Sequence, residues 1–161
     1  MRNHLFNTDK LKYVNGDRPG VACILCAIRD RDPDVVNLEV ARRGGFIVSV
    51  NLYPFNPGHV MIFPERHVER LQDLTDDEAL GLHRLAADVL TALEEEFRPA
   101  GFNAGYNLGR HSGASIAHIH LQVVPRYANE VGFLDVLAGT RLAVTDPVEM
   151  RDRLRKRLGA N

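Results

Sequence analysis

Apolar and polar positions follow two different periods along this chain. Residues 35–41 and 46–52 alternate well enough for two strands, and Arg42-Arg43-Gly44-Gly45 between them predicts a hairpin turn. His59-Val60-Met61-Ile62-Phe63-Pro64 is a continuous apolar run. It is entered through the tight turn Asn56-Pro57-Gly58 and closed by proline, which predicts a buried strand. Leu82, Leu85, Ala86, Val89, Leu90, Leu93 and Phe97 recur at helical spacing behind Thr75-Asp76-Asp77-Glu78, a capping box. A helix is expected over about 76–97, stopping before Pro99, with its stripe in the core; His83 falls beside the stripe and carries no function. Phe102–Leu108 and Ser115–Arg126 predict two further strands. Asp146-Pro147-Val148-Glu149 opens a last helix with a thin stripe of Met150, Leu154 and Leu158. Residues 1–20 are polar and rich in turn signals, and are expected to form an arm with a short strand near Leu11–Val14. Residues 21–161 are expected to form a single domain.

Composition narrows the function classes. With 161 residues, 45% of them hydrophobic and 25% charged, the chain suits one soluble domain with a real core. A formal net charge of −1 does not indicate a nucleic-acid footprint. Arg151, Arg153, Arg155, Lys156 and Arg157 therefore read as a solvated helix face, not a nucleic-acid patch. No apolar run is long enough to span a bilayer and no signal pattern opens the chain, so no membrane partner and a cytoplasmic location are expected.

Chemistry concentrates in the stretch Ser115-Ile116-Ala117-His118-Ile119-His120-Leu121-Gln122-Val123-Val124-Pro125-Arg126. On a strand, alternate side chains share a face. His118, His120 and Gln122 are then expected on one face and Ile119, Leu121 and Val123 on the other. The loop before it has what a phosphate cradle needs: Gly109 and Gly113 permit positive φ, successive N–H groups can form an anion nest, and Asn107 and Ser115 add side-chain donors. The only two cysteines, Cys23 and Cys26, form a Cys-x-x-Cys pair. In a cytoplasmic chain such a pair is metal-binding or redox-active more often than a structural disulfide, and two buried free thiols are the remaining alternative. A metal site needs two more ligands from among seven histidines.

His-x-His-x-Gln, with Ser115 before it and Pro125-Arg126 after it, resembles the signature of the histidine triad (HIT) superfamily. Asn51-Leu52-Tyr53-Pro54-Phe55-Asn56-Pro57-Gly58-His59-Val60-Met61 and Gly101-Phe102-Asn103-Ala104-Gly105-Tyr106-Asn107-Leu108-Gly109 are similar to bacterial HIT proteins related to diadenosine tetraphosphate phosphorylase. So is Phe133–Ala143, and the resemblance runs from about Cys23 to about Arg141. Most members carry a third histidine where this chain has Gln122; the glutamine form is similar to the transferase branches.

The resemblance implies an α+β fold: an antiparallel sheet of about five strands with one long helix packed on it, in a protein that pairs as a homodimer. It implies one structural zinc held by Cys23, Cys26, His67 and His118, a closed tetrahedral set. It also implies that His120 attacks the α-phosphorus of an adenine nucleotide such as a dinucleoside polyphosphate, giving a covalent nucleotidyl-histidine. Its other ring nitrogen is expected on a backbone carbonyl. His118, Gln122 and Ser115 are implied as catalytic residues beside His120, and Gln122, Ser115, Asn107, Gly113 and Ala114 would surround the phosphates. Related hydrolases usually have glutamine at the position of Ala114, a loss for which Arg110 or His111 could compensate. Asn51 falls where the family bonds ribose hydroxyls, although a turn-forming asparagine fits the same sequence. His59 is expected behind the triad, supporting it by a hydrogen bond.

Three other readings stay open at this point. One is a non-catalytic nucleotide-binding module. Another is a nucleoside phosphoramidase-type hydrolase. The third is a hydrolase in which His118 and His120 share a catalytic metal.

Overall fold

The structure is a computed structural model and describes residues 19–128 and 146–159. The expected strand near Leu11–Val14 and the segment Phe133–Ala143 lie outside the described residues. Five strands form one sheet: β1 (Glu39–Arg43), β2 (Phe46–Val50), β3 (Val60–Pro64), β4 (Gly101–Gly105) and β5 (Leu121–Arg126). Their spatial order is β1-β2-β3-β5-β4, and every pair is antiparallel. Among the described residues three α-helices accompany it: α1 (Ile24–Asp30), α2 (Asp76–Phe97) and α3 (Pro147–Leu158). The α+β fold expected above is the one observed.

β2 and β3 are buried on both faces, which explains why they read as apolar runs as well as alternations. Val48, Val50, Val60, Ile62, Leu121 and Val123 pack under Leu82, Leu85, Val89 and Leu93 of α2 and Met150, Leu154 and Leu158 of α3. Ile47, Met61 and Phe63 point the other way, against Leu25, Ala27, Ile28 and Val35. Burying one such side chain is worth roughly 1.5–3 kcal/mol, so the two clusters carry the fold.

Both helix caps expected from sequence are present. Thr75 Oγ1 accepts from the Glu78 N–H at 3.2 Å while Glu78 Oε2 accepts from the Thr75 N–H at 2.8 Å. Asp146 accepts from the Val148 N–H at 2.8 Å. The arginines of α3 are not simply a solvated face. Arg153 and Arg157 pair with Glu96 at 2.7 and 3.1 Å, Arg153 lies over the Phe97 ring, and Arg155 donates to the Glu39 carbonyl. The stripe of three apolar residues is thin, and these contacts add to it in holding α3 on α2 and β1.

Helix α1 is not legible in the sequence. It has seven residues, β-branched Ile24 and Ile28, and no side-chain bond at its N-cap, Cys23. Propensity does not dictate a helix there; burial of Leu25, Ala27 and Ile28 on the sheet does. The predicted strand 115–126 is also shorter than expected. Pairing starts at Leu121, opposite Ile62. Upstream, the Ile119 N–H turns aside to the Val68 carbonyl at 2.7 Å, and β3 ends at Pro64, which has no N–H to offer.

Candidate active site and metal centre

Where β3 ends and β5 begins, the chain brings four ligand side chains together. Cys23 caps α1, Cys26 lies one turn on, His67 follows β3, and His118 precedes β5. One donor atom from each lies within 4.8 Å of all the others. Cys23 Sγ and Cys26 Sγ stand 3.5 and 3.6 Å from His118 Nδ1, and Cys26 Sγ stands 3.3 Å from His67 Nδ1. A tetrahedral zinc with bonds of about 2.0–2.3 Å separates its ligands by roughly 3.3–3.8 Å. The donor set and spacing fit zinc.

The protonation states agree. His118 Nε2 lies 3.1 Å from the Pro64 carbonyl, which can only accept. The proton is therefore on Nε2, and the Nδ1 lone pair faces the thiols. Burial, with His67 alongside, pushes the His118 ring down to about 4. Burial and the neighbouring Cys23 push the Cys26 thiol up to about 11, as expected for two sulfurs side by side without a cation; a divalent ion reverses that preference. Cys23 does sit at a helix start, but every strand pair among the described residues is antiparallel, and none of them supplies the parallel strand–helix–strand context of a thioredoxin-type pair.

His118 and His120 stand in different surroundings. His118 belongs to the cysteine cluster, and His120 is in no group of metal-ligating side chains among the described residues. Nothing in this placement supports the shared-metal reading of the strand histidines: His118 Nε2 faces the Pro64 carbonyl and His120 Nδ1 the His118 carbonyl. Both residues precede the regular strand, so alternation does not hold their rings side by side. His120 Nδ1 instead donates to the His118 carbonyl at 2.9 Å. That bond leaves the lone pair on Nε2, and burial holds the ring below the usual imidazole range. His120 is thus a neutral, oriented imidazole at neutral pH.

Gln122 is the first of the three motif residues to lie within the sheet. It faces the same side as Met61 and pairs across to Gly105 of β4. His59, wholly buried, stands behind it. The Phe55 N–H donates to His59 Nδ1 at 3.1 Å, so the proton sits on His59 Nε2, which donates to Gln122 Oε1 at 2.8 Å. The Gln122 amide is thereby oriented with its NH₂ away from His59. The Phe55 ring stacks on His59 at 5.2 Å.

Asn51 follows β2. Its Oδ1 accepts from the Tyr53 N–H at 2.9 Å, the turn geometry foreseen as an alternative to a ribose contact. The phosphate loop has the expected backbone: Gly109 and Gly113 have φ of 84° and 85°, and an added Cβ would meet nothing at either. Conformation, not crowding, calls for glycine there. Asn107, Gly113, Ser115 and His111 are exposed, while Ala114 is half-buried. The side chain of Arg110 lies outside the described residues. A cavity of about 460 Å³ opens on the metal centre, lined by Cys23, Cys26, His67, Glu69, Ser115 and His118 among others. Neither His120 nor Gln122 lines it.

Sequence reasoning missed Glu69, whose Oε1 lies 3.1 Å from His67 Nε2. The available signal was its spacing: two residues past a ligand, on the same side of an extended segment.

Residues 39–129 match the HIT domain family. Over 118 residues the chain is 40% identical to the AP-4-A phosphorylase of Mycobacterium tuberculosis, covering 72% of this chain and 59% of that protein. Over 77 residues it is 38% identical to the asymmetrical bis(5'-nucleosyl)-tetraphosphatase of Schizosaccharomyces pombe, covering 48% and 42% respectively. The chain thus spans well under two thirds of the length of these relatives. A Zn-bound histidine triad family protein from Mycobacterium smegmatis superposes with a TM-score of 0.70 at 25% identity, over 86% of this chain and 94% of that one. The match across more than half the chain, together with the sheet order and the His118–His120–Gln122 junction, makes this chain a member of the HIT family.

Proposed function

We propose that this protein is a nucleotidyl transferase or phosphorylase of dinucleoside polyphosphates, working through a covalent intermediate on His120. The observation that carries the reading is the buried His120 ring, whose Nδ1–H is held by the His118 carbonyl so that Nε2 keeps its lone pair. That pair attacks the α-phosphorus of the nucleotide, a P–N bond forms, and the P–O bond to the departing polyphosphate breaks with its electrons leaving on oxygen. An oxygen of phosphate or water then attacks phosphorus and the P–N pair returns to Nε2. Gln122, Ser115, Asn107 and the amides around Gly113 and Ala114 serve as donors to the non-bridging oxygens, where charge redistributes in the transition state. The substrate class is supported by relatives named for AP-4-A and bis(5'-nucleosyl) tetraphosphate. Asn51 is the group assigned to the ribose.

Gln122 sets the choice of acceptor. An amide donates a hydrogen bond but takes up no proton near neutrality. With its carbonyl occupied by His59, Gln122 is a donor only, which suits an anionic leaving group and an anionic acceptor. Phosphorolysis is therefore favoured over hydrolysis.

The four-ligand centre holds a structural zinc. When bound, the ion fixes α1, the end of β3 and the start of β5 to one another. We further propose a single domain over residues 21–161, a cytoplasmic location, and a homodimer formed sheet to sheet. The last is supported by β4, an outer strand with Asn103, Ala104 and Gly105 exposed.

The test is incubation with diadenosine tetraphosphate, with and without inorganic phosphate. ADP plus ATP in the presence of phosphate supports phosphorolysis. AMP plus ATP at all phosphate concentrations makes the protein a hydrolase, and binding without turnover makes it a nucleotide-binding module.

A further inference from the structure

We infer that Glu69 is a positioning residue of the Cys23/Cys26/His67/His118 centre, holding His67 in the one tautomer that can ligate; the inference rests on the metal reading above. A neutral imidazole has one N–H and one lone pair, and the partner of one nitrogen decides the state of the other. Both histidines of the centre turn Nδ1 toward the sulfurs, and both have Nε2 on an oxygen at 3.1 Å. For His118 that oxygen is the carbonyl of Pro64, at the end of β3. For His67 it is the carboxylate of Glu69. A carboxylate near neutral pH only accepts, so Nε2 carries the proton and Nδ1 the lone pair.

The two supports are not equivalent. The His118 ring is buried and its acceptor is main chain, so little can change there. The His67 ring is exposed and lies on a segment with no regular structure, so its orientation depends on its partners. That segment is itself anchored. Val68 is buried, and its carbonyl accepts from the Ile119 N–H at 2.7 Å, one residue past His118. Anchoring Val68 inward puts His67 and Glu69 on one side of the chain, toward the cavity beside the centre that both residues line. A carboxylate behind a ligating histidine also raises its donor strength, and removing such a partner costs about 10–100-fold in metal affinity.

The experiment measures zinc affinity of the full chain by competition with a chromophoric chelator, for wild type, Glu69→Ala and Glu69→Gln. Glu69→Ala is expected to bind zinc roughly 10-fold or more weakly, and Glu69→Gln, whose amide oxygen still accepts, to recover most of the loss. In the metal-free protein, long-range proton–nitrogen correlation spectra should show His67 as the Nε2–H tautomer in wild type and as a mixture in Glu69→Ala. Zinc affinity of Glu69→Ala within twofold of wild type overturns the inference, as does a Glu69→Gln no better than Glu69→Ala. Wild type that binds no zinc overturns the metal reading itself, a different result from unchanged binding in the variant.

Discussion

His59 Nε2 donates to Gln122 Oε1 at 2.8 Å, and this one bond determines which end of the Gln122 amide is presented to a substrate. The bond is itself determined one step back, because the Phe55 N–H occupies His59 Nδ1 and forces the proton to Nε2. Replacing His59 by Phe removes the donor and takes from the half-buried Gln122 carbonyl the bond that orients it. The expected loss is about 1–3 kcal/mol, or roughly 10–100-fold in kcat, with a smaller effect on KM. Steady-state kinetics on a diadenosine polyphosphate check this. Unchanged kcat would mean that the orientation of Gln122 is set elsewhere.

The same bond gives a prediction for Gln122 itself. A histidine at 122 can accept from His59 and still titrate near neutrality, so it adds a proton-transfer group that the amide lacks. Gln122→His should raise the ratio of hydrolysis to phosphorolysis at saturating phosphate, even where total turnover falls through lost fit. The product ratio for the two proteins is decisive: a ratio that does not move makes Gln122 a phosphate clamp only.

His120→Ala should abolish turnover while nucleotide affinity stays within about an order of magnitude, because the groups assigned to ribose and phosphate lie on other residues. With α-labelled nucleotide the wild type should form an acid-labile, base-stable adduct of the phosphoramidate type. An adduct on any other residue would sink the mechanism.

Cys23→Ser breaks the four-ligand set and should lower zinc content from about one per chain together with stability. The chemistry of protein that stays folded should suffer less. The His118 carbonyl that orients His120 is held by two further bonds, His118 Nε2 to the Pro64 carbonyl and the Ile119 N–H to the Val68 carbonyl. Metal analysis and a thermal melt test the first part, and specific activity per folded molecule the second.

Glu78 gives a pH prediction remote from the site. The Arg66 guanidinium, bonded at 2.5 and 2.6 Å, and then the Thr75 amide hold its carboxyl down to about 2. The folded value lies below the unfolded one, so the stabilisation is complete above the ordinary carboxylate range near 4.5 and is lost as pH falls through about 2. Glu78→Gln should therefore cost about 1 kcal/mol at pH 7, a half-exposed ion pair and part of a cap, and the difference should close toward pH 2. Urea unfolding at the two pH values measures it. A difference independent of pH would show that packing, not charge, carries the effect.

The sequence by itself determined what short-range physics can encode. The Thr75–Glu78 cap, the Asp146 cap and the positive-φ glycines 109 and 113 are local statements and stand in the structure, as do the strand periods except at the motif strand. Tertiary structure decided the rest, because the deciding groups are distant in sequence and mostly main chain. Helix α1 exists because Leu25, Ala27 and Ile28 find the underside of Ile47 and Phe63. The motif strand starts only at Leu121 because Val68 and Pro64 offer carbonyls where a ladder would need a partner strand. Those same carbonyls separate the two histidines that alternation would have placed together. One is turned into a cysteine cluster, and the other, leaning on its neighbour's carbonyl, keeps the lone pair on Nε2. No pattern of side chains reports a hydrogen bond to a backbone oxygen about fifty residues away, and that is why His118 and His120, two positions apart in sequence, stand in separate surroundings.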